Sequence, residues 1–126
     1  PQAWAVTTTE GPLLVVAAAG SGKTRVITRR VAYLVREVGI APWQVLAITF
    51  TNKAAGEMRE RVATMVSDRQ ARALTLCTFH SLCVRILRRD AETLGYRSGW
   101  TIADTSEQVS IVRRAMRDLA ARQMGV

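Results

Sequence analysis

Gly20, Ser21, Gly22, Lys23 and Thr24 stand in the order and spacing of a phosphate-binding loop, directly behind the apolar run Leu13-Leu14-Val15-Val16. Peptide N–H groups in such a loop can point at phosphate oxygens from the positive end of the helix that follows. Lys23 supplies a mobile cation for the β- and γ-phosphates, and the Thr24 hydroxyl is placed to ligate Mg²⁺. The chemistry implied is the binding of a nucleoside triphosphate. The strict pattern asks for glycine at position 17, where this chain has Ala17, so the motif is a relaxed one. A chance Gly-Lys-Thr at a helix N-cap is the plainer alternative. Strand, loop and helix signals in the required order favour the loop.

Two further segments combine an aromatic ring with small polar groups. Thr49-Phe50-Thr51-Asn52-Lys53 follows one apolar run, and Thr78-Phe79-His80-Ser81 follows another and holds the only histidine. Rings at such positions can stack on bases while hydroxyl, amide and backbone N–H groups hold phosphates, which suits single-stranded nucleic acid. Taken singly, Phe50 and Phe79 read slightly better as core residues, and His80 reads equally well as a structural histidine. The repetition of one design at two strand ends favours binding.

The elements that position these groups read as alternating strands and helices, the pattern of a parallel α/β sheet. Expected strands are 13–17, 45–50 and 73–77, and open parallel sheets bind ligands beyond the carboxyl ends of their strands. A first helix carries Ile27, Val31, Leu34, Val35 and Val38 and stops at Gly39 and Pro42. A second carries Ala54, Ala55, Met58, Val62 and Met65. A third starts near Phe79, with Leu82, Cys83, Ile86, Leu87, Ala91 and Leu94 inward and Gly95 as its cap. The fourth follows Asp104, where Thr105-Ser106-Glu107-Gln108 offers capping-box chemistry ahead of Val109, Val112, Met116 and Leu119. Gly95 to Gly99 is the expected boundary.

Composition agrees. The 126 residues suit one ordinary domain, and 48% hydrophobic content supports a core, which makes disorder an unsuitable reading. The net charge is +8, and every cation except Lys23 and Lys53 is arginine, whose guanidinium forks onto phosphate and stacks on bases. Nucleic acid is the natural partner, a solvated basic face the bland one. Cys77 and Cys83 have neither zinc-site nor disulfide-framework spacing, which fits a reducing cytoplasm. No apolar stretch approaches the roughly 20 residues of a membrane span, and no signal peptide precedes the first strand.

The combination of Gln2-Ala3-Trp4-Ala5-Val6, Gly11-Pro12-Leu13-Leu14-Val15-Val16, Ala19-Gly20-Ser21-Gly22-Lys23-Thr24-Arg25, Thr49-Phe50-Thr51-Asn52-Lys53-Ala54-Ala55, Glu57-Met58-Arg59-Glu60-Arg61 and Thr78-Phe79-His80-Ser81 resembles the UvrD/PcrA/Rep group of superfamily 1 DNA helicases. The stretch Cys83-Val84-Arg85-Ile86-Leu87-Arg88-Arg89 continues the match, which covers essentially the whole chain. The resemblance implies an ATP-dependent enzyme, with Mg²⁺, that translocates on single-stranded DNA and unwinds duplex in repair or replication. It implies that Gln2 reads the adenine edge and that Arg25 lies against the base. The loop from Ala19 to Thr24 would hold the phosphates, with Lys23 and Thr24 the catalytic pair and Thr24 the metal ligand. Phe50, Thr51, Asn52, Lys53, Thr78 and His80 would line the DNA path.

Two departures stand out. Ala18 replaces the first glycine of the family loop, and an alanine held at positive φ would cost roughly 1–2 kcal/mol. No apolar strand ends in the paired acidic residues that family members use for Mg²⁺ and water; Asp90 sits within a helical pattern and Asp104 at a helix N-cap. The chain therefore reads as an N-terminal fragment, an incomplete RecA-like P-loop sheet with flanking helices over 1–97, followed from 98 to 126 by the start of an inserted helical subdomain. Such a fragment is expected to be catalytically incompetent, to have the remaining helicase domains of the parent chain as partners, to self-associate through uncovered apolar faces, and to belong to a cytoplasmic, nucleoid-associated protein. Two rivals remain at this stage: a small P-loop kinase, and a non-catalytic nucleic-acid-binding module.

Overall fold

The computed structural model describes residues 1–123. Contacts divide the chain into two compact units, Pro1–Ile86 and Leu87–Val126.

In the first unit, helix α1 (Gln2–Thr7) and a connecting segment lead to helix α2 (Lys23–Arg36). A single 3₁₀ turn, Pro42–Gln44, feeds strand β1 (Leu46–Thr49). Helices α3 (Asn52–Ala63) and α4 (Asp68–Ala73) return the chain to strand β2 (Thr75–Thr78), from which helix α5 (Phe79–Asp90) begins. The strands pair in parallel with Leu46 beside Thr75 and Thr49 beside Thr78, so both carboxyl ends finish level. The crossover needed by a parallel pair is supplied by α3 and α4.

Helical spacing on α2 and α3 builds the core. Val31 and Val35 from α2, Met58 and Val62 from α3, and Val45, Leu74 and Leu76 from the strand region form one cluster, against which Ile40, Ala47 and Val66 pack. Val62 is fully buried. Polar ties fix the layers: Arg59 donates through Nη2 to the Leu76 carbonyl at 2.8 Å, and Arg36 through Nη1 to the Met65 carbonyl at 3.1 Å. Helix α2 stops at Arg36, two residues short of Val38, because Gly39 takes φ +79° and Ile40 N–H returns to the Leu34 carbonyl.

The first apolar run departs from expectation. Residues 13–17 join no strand, and among the described residues the sheet has two strands where three were expected. A strand exists only through a hydrogen-bonded neighbour. β1 and β2 supply one another, whereas Leu14 and Val16 remain 88% and 86% exposed. Helix α4 was absent from the sequence reading because Ala71 is its only buried residue. It is held instead by a reciprocal capping box: the Ser67 hydroxyl accepts from Gln70 N–H, and the Gln70 side chain accepts from Ser67 N–H.

In the second unit, Ala91–Leu94 forms a 3₁₀ turn closed by Gly95 at φ +80°. Arg89 Nη2 meets Asp90 Oδ2 at 2.8 Å, and this pairing lowers the Asp90 pKa. Helix α6 (Thr105–Gln123) begins at Asp104, whose carboxylate accepts from Glu107 N–H and Ser106 Oγ, both at 2.8 Å, while Glu107 Oε2 accepts from Asp104 N–H at 3.0 Å. The stripe Val109, Val112, Met116 and Leu119 is present but exposed.

Candidate nucleotide and nucleic-acid sites

The phosphate loop takes its shape from two glycines. Gly20 and Gly22 adopt φ +76° and +88°, values that side-chain-bearing residues rarely hold, and Gly22 is the N-cap of α2. Ala18 is not at positive φ, and no residue other than glycine is, among those described. The backbone cost expected at Ala18 therefore does not arise. Val26 N–H makes the first helical bond, to the Gly22 carbonyl at 3.0 Å, which leaves the N–H groups of Lys23, Thr24 and Arg25 ahead of the helical ladder. These groups and the helix end favour an anion.

Lys23 Nζ folds back over the loop, donating to the carbonyls of Ala17 at 2.8 Å and Ala18 at 2.7 Å. Ser21 turns inward, with Oγ donating to the Ala18 carbonyl at 2.6 Å. Gln2, nineteen residues earlier, donates from Nε2 to the Ser21 carbonyl at 3.1 Å. A primary amide nitrogen carries two donors, so Oε1 and one N–H of Gln2 stay available. Gln2 and Arg25 line one groove of about 350 Å³ between α1 and α2, with Ala3, Val6 and Arg29. The two residues assigned to adenine thus come together. A neighbouring cavity of about 540 Å³ runs from Lys23 past Leu13 and Val16 to Arg30.

The loop fits the triphosphate of a nucleotide: a glycine-shaped turn, free helix-end N–H groups and an ammonium converge there. Thr24 is exposed in the first turn of α2, where its hydroxyl can join a divalent cation. Among the described residues, no three His, Cys, Asp or Glu side chains gather as a metal site. Asp90 and Asp104 are engaged by Arg89 and by the α6 cap.

The second cluster lies beyond the level ends of β1 and β2. The Phe50 and Phe79 ring centroids are 6.0 Å apart with planes at 51°, a tilted aromatic pair. Phe50 is 87% exposed and Phe79 is 52% exposed, so neither serves as a core residue in this chain. Thr51 caps α3 by accepting from Ala54 N–H at 3.1 Å, and Asn52 and Lys53 are exposed on its first turn. His80 is exposed on the first turn of α5. Thr78 differs: it is 4% exposed, and its Oγ1 accepts from Ser81 N–H at 3.2 Å and lies 2.9 Å from Ser81 Oγ.

Sequence reasoning missed Arg30. One guanidinium nitrogen, Nη1, donates to the Ala5 carbonyl at 2.8 Å and also to the Thr8 carbonyl. Its seven-residue spacing from Lys23 puts both on one face of α2 but does not point to α1.

Residues 1–124 match the family described as the UvrD/REP helicase N-terminal domain. The chain is 58% identical over 118 residues to the ATP-dependent DNA helicase PcrA of Leuconostoc citreum, covering 94% of this chain and 16% of that protein. It is 56% identical over 117 residues to the PcrA helicase of Staphylococcus aureus strain Mu50, covering 93% and 16%. The chain thus spans about a sixth of the length of these relatives.

Proposed function

The chain belongs to the UvrD/REP helicase N-terminal domain family, and from that premise we propose that it is the ATP-binding part of an ATP-dependent DNA helicase that moves on single-stranded DNA and unwinds duplex in repair or replication. The observation that carries the reading is the convergence of Lys23, Gln2 and the phosphate loop through the bonds to Ala17, Ala18 and Ser21. A base-binding groove and a phosphate cradle then lie side by side.

In this reading, the N–H groups at the start of α2 hold the phosphates and the Lys23 ammonium leaves the Ala17 and Ala18 carbonyls to neutralise their charge. Thr24 contributes an oxygen to Mg²⁺, which when bound offsets charge on the phosphate oxygens. A carboxamide matches adenine, which offers a donor at N6 beside an acceptor at N7. Gln2 therefore reads the base and Arg25 stacks on it. Phe50, Thr51, Asn52, Lys53 and His80 contact single-stranded DNA, with Thr78 setting the start of α5 from beneath. Residues 1–97 belong to the first RecA-like domain and 98–126 begin its helical insertion. The setting is the cytoplasm, at the nucleoid; among the described residues no helix is long and apolar enough to cross a membrane.

The 126 residues alone bind ATP without turning it over at a helicase-like rate, since arginines that can supply about 10³–10⁵ in rate come from elsewhere in such enzymes. Steady-state phosphate release with saturating single-stranded DNA tests this. Background release is expected. Robust release that Lys23→Ala abolishes would overturn the incompetence of the chain, and failure to bind either ATP or DNA would overturn the function.

A further inference from the structure

Helix α1 has six residues, too few to persist on its own propensity, so whatever docks it decides where Gln2 stands. Two polar links hold it. At its start, Gln2 Nε2 reaches the Ser21 carbonyl of the phosphate loop. At its end, Arg30 Nη1 collects the Ala5 and Thr8 carbonyls, which a helix C-terminus leaves without intrahelical partners. Ala5 itself is buried, so this junction is packed as well as bonded. A guanidinium at a helix C-terminus also meets the negative end of its dipole.

Arg30 comes from α2, seven residues after Lys23 and on the same face. The helix that opens with the phosphate-binding cation therefore also carries the clamp for the segment bearing Gln2. We propose that Arg30 is a positioning residue for base recognition: it locks α1 onto α2, so that the Gln2 carboxamide stands at a fixed distance from the phosphate loop and reads adenine in register with the triphosphate. This rests on the reading of Gln2 as the adenine contact. In this proposal Arg30 acts through α1, which its Nη1 bonds hold in place, and not by contact with base or phosphate.

A clamp of this kind has a signature that a merely structural arginine lacks. Losing it should blur discrimination between bases and leave the grip on phosphate intact, because the loop is formed by Gly20, Gly22 and the start of α2. Guanine presents two acceptors, O6 and N7, where adenine presents N6–H and N7, so the ATP-to-GTP affinity ratio reports the carboxamide directly.

The test is calorimetric titration of the 126-residue chain with Mg-ATP, Mg-GTP and inorganic tripolyphosphate, for wild type, Gln2→Ala, Arg30→Gln, Arg30→Lys and the Gln2→Ala/Arg30→Gln double variant. Wild type is expected to prefer ATP. Arg30→Gln is expected to lose roughly three- to tenfold of that preference, the range for one or two hydrogen bonds, with tripolyphosphate affinity unchanged. Arg30→Lys should fall between, and Arg30→Gln should remove nothing further once Gln2 is alanine. A folded Arg30→Gln with the wild-type ratio, or one that weakens all three ligands equally, overturns the proposal. Should Arg30→Gln fail to fold, Arg30→Lys decides on the same two criteria. Absence of base preference in wild type overturns the reading of Gln2 itself, and that result is distinct from an Arg30 variant that behaves as wild type.

Discussion

Phe50 and Phe79 stand 6.0 Å apart, centroid to centroid, immediately past two strand ends that finish level. Their approach follows from register: Thr49 pairs with Thr78, so the next residue of each strand leaves the sheet at the same height. The two rings meet each other while remaining exposed. Burial cannot explain them, since Phe50 is 87% exposed.

Phe50→Ala is therefore expected to weaken single-stranded DNA binding by roughly 1–3 kcal/mol at fixed salt while leaving the thermal midpoint near wild type. His80→Ala should cost less. Fluorescence anisotropy and a thermal melt check both halves. A variant with full affinity and a lowered midpoint would show that the ring supports the fold instead.

Ala18→Gly is expected to leave phosphate affinity within about twofold of wild type, since Ala18 does not occupy positive φ and there is no strain to relieve. The same change loosens the unfolded and folded loop without adding a contact. A large gain in nucleotide affinity on calorimetry would contradict this account of the loop.

Leu14 and Val16 are 88% and 86% exposed on a segment that joins no strand among the described residues. Such a segment can template association. Light scattering should show a mass that rises with concentration, and Leu14→Ser with Val16→Ser should suppress the rise. A concentration-independent monomer in the unsubstituted chain would contradict it.

Asp104 is held below the usual carboxylate pKa by the Glu107 N–H and by Ser106 Oγ. A carboxylate whose folded pKa is lowered contributes stability that is present above its unfolded pKa and lost as pH falls through the folded one. Helicity of α6 should accordingly decline on acidification below the carboxylate range. Asp104→Asn keeps a good N-cap and should flatten that dependence, whereas Asp104→Ala should lower helicity at every pH. Circular dichroism against pH separates the three.

Much of this arrangement was legible in residue order. The stripes of α2 and α3 gave the core because Val31, Val35, Met58 and Val62 recur at helical spacing. The start of α6 after Asp104 was legible too, although the box expected within Thr105-Ser106-Glu107-Gln108 closes one residue earlier, between Asp104 and Glu107. Other features were not legible, each for a physical reason. Residues 13–17 have the composition of a buried strand, but composition cannot say whether a neighbour is present to pair with. Helix α4 rests on a capping box and one small buried residue, leaving periodicity nothing to detect. Arg30 bonds to backbone carbonyls, which are the same at every position, so no residue type at Ala5 or Thr8 could signal it. At the candidate sites the residue identities were legible, while Thr78 shows what was not: its place beneath α5, with 4% exposure, depends on the sheet.

The most direct test of the central claim is calorimetric titration of the chain with Mg-ATP beside Lys23→Ala. Lys23 folds its ammonium onto the loop, and charge-assisted hydrogen bonds are worth about 1.5–3 kcal/mol. The account predicts weak but measurable binding that falls about tenfold or more in the variant. Equal affinity in the two proteins, or no binding by the unsubstituted chain, would contradict it.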